Sequence, residues 1–342
     1  MRTSAKLFLM LAIGLTVNSS CAIGSISDMV ANVTEEQNSD AILLTSKTYP
    51  VASIKALKVA TSGGSIQVSG DANSEAIIQM YVRPNNNRKL SQNEIEEILE
   101  RDYEISIEER NGTLEAIAKR KNNNNWKNGI SISFKVQTGN KISTDLSTSG
   151  GSIQLYALNG VQQFKTSGGS LTIDNLEGQI HGRTSGGSIK ASNAMGSIDL
   201  STSGGSIRLD ELSGDIKVST SGGSIKGSSI KGSLYASTSG GSVNLDDLNC
   251  SVRASTSGGS VSAQLNDMPG DVALSTSAGS VNLQIPANAQ ANLDLKGFKV
   301  NADRLTNFNG SNSKGKLVGS INGGGVQVSA STSAGSVNLS FN

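Results

Sequence analysis

The sequence predicts an all-β protein: a single-stranded β-helix (β-solenoid) of about 18 residues per coil with a small N-terminal α+β cap. The pentapeptide Thr-Ser-Gly-Gly-Ser begins at Thr148, begins again at Thr166, and recurs five more times at the same interval. Apolar side chains return at fixed positions of each interval, so stacked copies would share one continuous core. Glycine supplies 39 of the 342 residues and aromatic residues only 4 %, which favours an extended repeat array over ordinary globular domains.

Residues 1–22 have the pattern of a secretory signal peptide. Arg2 and Lys6 precede an apolar run over residues 7–17, and residues 20–22 fit a small-x-small cleavage site. The apolar run is too short to span a bilayer. We therefore expect an exported protein, located in the periplasm, on the outer-membrane surface or outside the cell.

Cys21 leaves a second reading of this leader open. Cleavage just before Cys21 would allow lipidation of its thiol and attachment to a membrane, although Asn18 stands where a lipobox normally has leucine. Cleavage after Ala22 would instead leave Cys250 as the sole cysteine, with no intramolecular disulfide possible. The formal net charge of +1 falls to about −1 without the leader, so the sequence shows no basic footprint for nucleic acid.

The repeat defines the middle of the chain. Further copies in which alanine replaces the first glycine begin at Thr276 and Thr332, and an isolated early copy begins at Thr61. The regular copies begin at Thr148, Thr166, Thr184, Thr202, Thr220, Thr238 and Thr256.

Counting the threonine as position 1, positions 6, 8, 11, 15 and 17 are mostly apolar. Side chains alternate between the two faces of a strand, and positions 15, 17 and 1 have the opposite parity to positions 6 and 8. The chain must therefore turn at the Gly-Gly pair, whose backbone angles other residues resist. Further corners are predicted at positions 9–10 and 13, and the inward threonines are expected to bond to one another between coils. The predicted turn-forming glycines are Gly150, Gly151, Gly168, Gly169, Gly186, Gly187, Gly204, Gly205, Gly222, Gly223, Gly240, Gly241, Gly258 and Gly259.

The remaining segments are assigned from local patterns. Residues 23–45 are a polar tether, 46–140 the cap, 141–284 the regular solenoid, and 285–342 irregular coils and a C-terminal cap. Within the N-terminal cap, Ser91 and Glu94 form a capping box that opens a helix, and Asn111-Gly112 predicts a hairpin turn.

The sequence offers little for catalysis, and it predicts no enzyme, cofactor or metal. His181 is the only histidine and is expected to point outward, so neither a Ser-His-Asp triad nor a histidine-rich metal site is expected. No repeat is expected to break its pattern to bring unusual charged residues together. The corner carboxylates that a polysaccharide lyase, a hydrolase or a calcium ladder would use are more readily read as turn caps; they are Asp174, Asp210, Asp246 and Asp247.

Two further alternatives are weaker. The Ser-Thr-Ser steps resemble ice-binding ladders, but the threonines turn inward and leave no flat threonine face. Cys250 stands at position 13, where other copies have glycine, either as a tolerated corner substitution or as a site of intermolecular crosslinking.

The Thr-Ser-Gly-Gly-Ser-Ile/Val repeat, the Glu-Ile-Glu-Glu-Ile-Leu helix (94–99) and the Ser-Ile-Ser-Phe-Lys-Val strand (131–136) resemble a Bacteroidetes-type family of secreted putative-adhesin domains of unknown function. The resemblance covers about residues 46–342 and extends distantly to head-domain auto-transporter adhesins. It implies a right-handed β-helix at the cell surface or in the periplasm. The resulting hypothesis is a non-catalytic adhesive or scaffolding module. Its partners would be a glycan or an envelope or host protein, not nucleic acid, with a membrane only if Cys21 is lipidated, and end-to-end self-association is a further option.

Overall fold

The computed structural model describes residues 41–121, 129–303 and 305–342. The predicted signal peptide, Cys21 and most of the predicted tether lie outside these residues. The chain divides into two units, residues 1–41 and 42–342, and the fold described below is that of the second unit. Within the described residues, no helix is long and apolar enough to cross a membrane.

The described residues form one α-helix, α1 (Gln92–Asp102), and 23 strands. The N-terminal strands are β1 (Ile42–Pro50), β2 (Ala56–Thr61), β3 (Ile66–Ser69), β4 (Glu75–Pro84), β5 (Tyr103–Arg110), β6 (Thr113–Arg120), β7 (Ile130–Gln137) and β8 (Ser143–Thr148). The repeat strands are β9 (Ile153–Thr166), β10 (Leu171–Thr184), β11 (Ile189–Thr202), β12 (Ile207–Thr220), β13 (Ile225–Thr238) and β14 (Val243–Thr256). The C-terminal strands are β15 (Val261–Asp267), β16 (Val272–Thr276), β17 (Val281–Ile285), β18 (Ala291–Lys296), β19 (Lys299–Ala302), β20 (Phe308–Ser313), β21 (Lys316–Ile321), β22 (Val326–Thr332) and β23 (Ser336–Phe341).

Strands β9 to β14 are the coils of the predicted β-solenoid. Each is 14 residues long and pairs with the next in parallel, residue against residue, at a constant offset of one repeat. Leu171, for example, pairs with Ile153 on one side and Ile189 on the other. Positions 1, 6, 8, 11, 15 and 17 of these coils are buried. The all-β solenoid and the inward positions read from the sequence are therefore confirmed.

Two of the predicted corners are bends within each long strand. At position 10 a non-glycine residue takes the left-handed conformation in six coils, with φ between 50° and 56°. At position 13 a glycine has φ between 101° and 140° in five coils. Asn and Asp tolerate the first of these conformations better than other side chains, and Asn175, Asn193 and Asp247 occupy it in three coils.

The Thr-Ser-Gly-Gly-Ser segment forms the third corner, but the predicted reason for its glycines is wrong. None of the predicted turn glycines has a left-handed φ. The second glycine of each pair is required because the coils approach closely: a Cβ there would lie 1.9–2.2 Å from the glycine carbonyl oxygen of the preceding copy. A Cβ on the first glycine would meet nothing nearer than 3.3 Å. This difference explains why Ala278 and Ala334 replace only the first glycine.

The repeat threonine is buried as predicted, yet its hydroxyl does not bond to other threonines. Thr166 Oγ1 donates to the carbonyl oxygen of Gly151 in the preceding copy at 2.8 Å. The same hydroxyl accepts the backbone N–H of Gly169 at 3.3 Å. All nine copies from Thr148 to Thr332 repeat the donated bond at 2.7–2.8 Å.

The isolated early copy is itself a coil of the solenoid. Its strands β2 and β3 pair in parallel with β8 and β9, which places Thr61 opposite Thr148 and Ile66 opposite Ile153. On their other side, β2 and β3 pair with β6 and β7. The sequence between these two copies is thus an insertion whose strands extend the same ladder.

The remaining N-terminal elements follow the local signals. Ser91 and Glu94 form the predicted capping box at the start of α1, and β5 and β6 form the predicted hairpin across Asn111-Gly112. Strand β1 pairs antiparallel with β4 and begins at Ile42, ahead of the predicted end of the tether at residue 45. The predicted boundary of the cap at residue 140 stays a prediction.

The last repeat copy returns to the ladder in the same way. Strands β22 and β23 pair in parallel with β16 and β17, so that Thr332 lies opposite Thr276 and Val337 opposite Val281. Residues 286–325 are an insertion that includes the antiparallel pairs of β21 with β18 and β20. Copies distant in sequence are therefore adjacent in register at both ends of the repeat.

Cys250 marks the point where the repeat becomes irregular. Its side chain is fully buried, and the interval that follows, from Thr256 to Thr276, is longer than the regular one. Burial raises the pKa of the Cys250 thiol to about 12, so that the group stays protonated in the folded protein. A buried, protonated thiol argues against the crosslinking role and for the tolerated substitution.

The close approach of the coils predicts different costs for the two glycines of one copy. In Gly205→Ala the new Cβ would lie 2.0 Å from the Gly187 carbonyl oxygen, whereas in Gly204→Ala it would lie 3.6 Å from the nearest atom. We expect Gly205→Ala to lower the free energy of unfolding by about 2–4 kcal/mol and Gly204→Ala by less than about 1 kcal/mol. Urea denaturation followed by circular dichroism measures both, and equal losses would contradict the account.

The burial of Cys250 predicts a thiol that reacts very slowly in the folded protein. In a chain cleaved after Ala22, labelling by a thiol reagent at pH 8 should be about a thousandfold slower than for an exposed cysteine, because almost no thiolate is present. Urea should restore rapid labelling at one thiol per chain. Rapid labelling of the folded protein would show that Cys250 is accessible.

Candidate functional site: two grooves on the third face

The third face is the outer surface of the strand segments at positions 14 to 18 of successive coils. The alternation that sends positions 15 and 17 into the core sends positions 14, 16 and 18 outward. Two grooves of the described surface lie on this face or at its border with the threonine corner. The segments of the third face are 161–165, 179–183, 197–201, 215–219, 233–237, 251–255 and 271–275.

The first groove, here called the serine groove, runs across the early coils. It has a volume of about 560 Å³. It is lined by residues at positions 18, 1 and 2, which include six outward serines and two cations. Its lining residues are Thr61, Ser147, Thr148, Ser149, Lys165, Thr166, Ser167, Arg183, Thr184, Ser185, Ser201, Thr202 and Ser203.

Lys165 and Arg183 occupy position 18 of adjacent coils and pair directly in the ladder. The prediction that no repeat breaks its pattern to bring charged residues together is wrong at this position. Reading position 18 down the coils, rather than along each copy, would have found the departure. The other copies from Thr148 onward, and the residue before it, have serine there: Ser147, Ser201, Ser219, Ser237, Ser255, Ser275 and Ser331.

The two cations of the serine groove are exposed, and they belong to none of the four ion pairs of the described residues. No carboxylate lines the groove. Asp145 and Asp199 lie at position 16 in the coils on either side, outside the lining. Two positive charges without an ion-pair partner among the described residues raise the positive electrostatic potential of the groove. Because like charges directly opposite each other on neighbouring strands repel, the pair also destabilises the fold.

The second groove, here called the tyrosine groove, lies further along the same face and has a volume of about 430 Å³. Tyr235 is 40 % exposed, and its register partners at position 16 are Lys217 on one side and Arg253 on the other. In the described residues neither cation stacks on the Tyr235 ring.

Two carboxylates border the tyrosine groove and are held in place. Asp215 Oδ1 accepts a hydrogen bond from Ser233 Oγ at 2.8 Å. Asp271 Oδ1 accepts one from the backbone N–H of Gln327 at 3.0 Å. With Lys217 and Arg253, the groove thus offers two cations and two acceptors around one aromatic ring.

The predicted corner carboxylates lie on a different part of the coil. Asp174 accepts bonds from Ser192 Oγ at 2.9 Å and Asn193 Nδ2 at 2.8 Å, both in the next coil. Asp247 is bonded by Ser229 in the coil before and Asn266 in the coil after. These two carboxylates therefore join coils to one another, and the predicted capping of their own turns is replaced by bonds between turns.

The structure does not bring His181 together with those carboxylates. His181 lies at position 16 of the third face, partly exposed, between Gln163 and Asp199 in the ladder. Among residues 41–121, 129–303 and 305–342, no group of three or more His, Cys, Asp or Glu side chains is placed to hold a metal ion.

Solved structures similar to this chain include three bacterial proteins. A putative cell adhesion protein from Clostridium sporogenes is 14 % identical, with 87 % of this chain and 99 % of that chain covered and a TM-score of 0.20. A putative adhesin from Bacteroides fragilis is 12 % identical, with 87 % and 97 % covered and a TM-score of 0.29. A putative adhesin from Parabacteroides merdae is 10 % identical, with 88 % and 97 % covered and a TM-score of 0.26.

No curated protein matches the chain. The family model described as Toastrack DUF4097 matches residues 25–340. Since this match covers almost the whole sequence, the chain belongs to the Toastrack DUF4097 family.

Proposed function

We propose that the protein is an exported, non-catalytic attachment module that holds a glycan or protein partner at the cell surface or in the periplasm. The observation that carries this proposal is the placement of both grooves along one ladder, on the third face or at its border with the threonine corner. An adhesive surface needs several weak contacts presented together and in fixed positions, because each ordered side chain otherwise costs entropy on binding. Side chains on stacked strands meet that requirement.

The residues of the tyrosine groove are suited to a glycan ligand in particular. Tyr235 combines an apolar ring with a hydroxyl, which suits a sugar that presents a C–H face and hydroxyl groups at its edge. Lys217 and Arg253 donate hydrogen bonds, whereas the fixed oxygens of Asp215 and Asp271 accept them. A glycan hydroxyl can do both, so this arrangement can read its hydroxyls from two sides.

The proposal that the protein is exported depends on its N-terminal leader. Residues 1–22 have the three regions of a signal peptide, and Cys21 offers a lipid anchor as the alternative to a free protein. Either route would place the third face in an aqueous compartment outside the cytoplasm. Intact mass and fractionation from the native envelope distinguish a chain cleaved after Ala22 from an acylated one.

The bonding of two of the four corner carboxylates supports a non-catalytic role. Asp174 and Asp247 are committed to hydrogen bonds between coils, which is a structural task. Release of products from uronate-containing polymers, abolished in Asp210→Ala or Asp246→Ala, would overturn the proposal in favour of a lyase or hydrolase. Co-purification with envelope proteins and no glycan binding would instead favour a scaffold.

Tyr235→Gln should weaken binding to a neutral glycan or a protein found in a broad screen by about tenfold or more, because exposed aromatic side chains dominate such contacts. Another coil has glutamine, Gln163, at the repeat position of Tyr235, so folding should be unaffected. Binding is measured by biolayer interferometry on the purified protein.

The matched control is Tyr156→Ser. Tyr156 also points outward, but at position 9 of another face, where Ser192 and Ser228 stand in other coils. We expect its affinity to stay within about twofold of the unchanged protein. Equal weakening by both variants, or a screen without any ligand, would contradict attachment through the third face.

A further inference from the structure

We infer that the serine groove is an anion-binding subsite that takes the sulfate or carboxylate groups of an acidic polysaccharide. Lys165 and Arg183 would hold the anionic groups, and the surrounding serine hydroxyls the neighbouring sugar hydroxyls. The inference rests on the proposed function, since it names the chemical class of partner for one of the two grooves.

The two cations are exceptions at their position of the repeat. Position 18 is serine in the other copies from residue 147 onward, yet two adjacent coils have Lys165 and Arg183 there. Two like charges at the spacing of neighbouring strands, about 4.8 Å, repel each other. Within the described residues, no ion pair relieves this repulsion. An anion between or along the two side chains would do so.

The lining of the serine groove also suits an anion. Six serine hydroxyls surround the cations, and the lining includes no carboxylate that would compete for them. Hydrogen bonds with an ionised partner are shorter and stronger than neutral ones. The groove therefore favours an anionic ligand over a neutral one, whereas the tyrosine groove, with two carboxylates, has balanced charges.

The serine groove is long enough for a polymer. It spans successive coils, and a serine recurs at position 2 of each: Ser149, Ser167, Ser185 and Ser203. A volume of about 560 Å³ is far larger than one sulfate or carboxylate group requires. A recurring row of donors fits a polymer with recurring hydroxyl and anionic groups.

A polysaccharide fits this surface better than a nucleic acid. Proteins that bind single strands stack bases on aromatic side chains along a basic groove, and the lining of the serine groove includes no aromatic residue. The net charge of the whole chain is only +1. Nearby Asp145 and Asp199 also limit the positive surface to the width of two coils.

The test compares four probes: dextran sulfate, polygalacturonate, neutral dextran and an oligothymidine. Purified protein should bind dextran sulfate, polygalacturonate or both, more weakly as salt increases because the contacts are exposed. Lys165→Ser/Arg183→Ser restores the serine of the other coils and should weaken this binding by about tenfold or more. Binding to sulfate alone or to carboxylate alone identifies which group the subsite takes.

The matched control removes the same charge from another face. Lys190→Thr/Lys226→Asn changes two exposed position 7 lysines to the residues that Thr172 and Asn244 supply in other coils. It should leave binding of the acidic polymers within about twofold. Circular dichroism and thermal denaturation verify that both double variants fold.

Three results would overturn the inference. They are equal loss of binding in the two double variants, tighter binding of oligothymidine than of the acidic polysaccharides, and no binding of either acidic polymer. If neutral dextran or another neutral glycan binds and the acidic polymers do not, this inference fails while attachment to a glycan stands. If no glycan and no protein binds, the proposed function fails as well.

Discussion

The hydrogen bond from each repeat threonine, from Thr148 onward, to a glycine carbonyl of the preceding coil is the contact on which the stacking depends. In the central copies Thr220 Oγ1 donates to Gly205 at 2.8 Å and accepts the Gly223 N–H at 3.3 Å. The corner is tight and buried beside the threonine, so its backbone groups need partners there. The same approach leaves no room for a Cβ on the second glycine. The same contact thus explains why threonine and glycine recur at these two positions and sets the distance between adjacent coils at this corner.

Much of the fold follows from the period of the sequence. The constant offset between coils, the inward positions and the corners at positions 10 and 13 can be read from apolar parity and turn residues. The partner of the threonine hydroxyl cannot, because sequence shows which way a side chain points but not which atom of the next coil it meets. For the same reason the sequence suggests that the glycine pair is needed for unusual backbone angles, whereas the structure shows that the second glycine is needed because adjacent coils approach too closely for a Cβ. The pairing of Thr61 with Thr148 and of Thr332 with Thr276 is also hidden, since insertions separate these copies.

The candidate site was harder to predict because its residues occupy the same repeat position in successive coils and are not close together in the sequence. Each repeat copy, read along the chain, contains an unremarkable mixture of charged and polar residues. Only the parallel register places Lys165 beside Arg183, and Tyr235 between Lys217 and Arg253. The ladder thereby converts isolated substitutions into rows with a defined spacing, and a ligand that follows the rows would contact several coils at once. Stacking precision and binding are linked through this register.

The most direct test of this account is the stability of Thr220→Val against Thr220→Ser. Valine keeps the shape of threonine but removes the hydroxyl, leaving the Gly205 carbonyl and the Gly223 N–H without their partner, whereas serine keeps the hydroxyl. We expect Thr220→Val to lower the free energy of unfolding by about 1–3 kcal/mol more than Thr220→Ser does, measured by urea denaturation. A valine variant as stable as the serine variant, or more stable, would contradict the claim that the threonine–glycine bond holds the coils together.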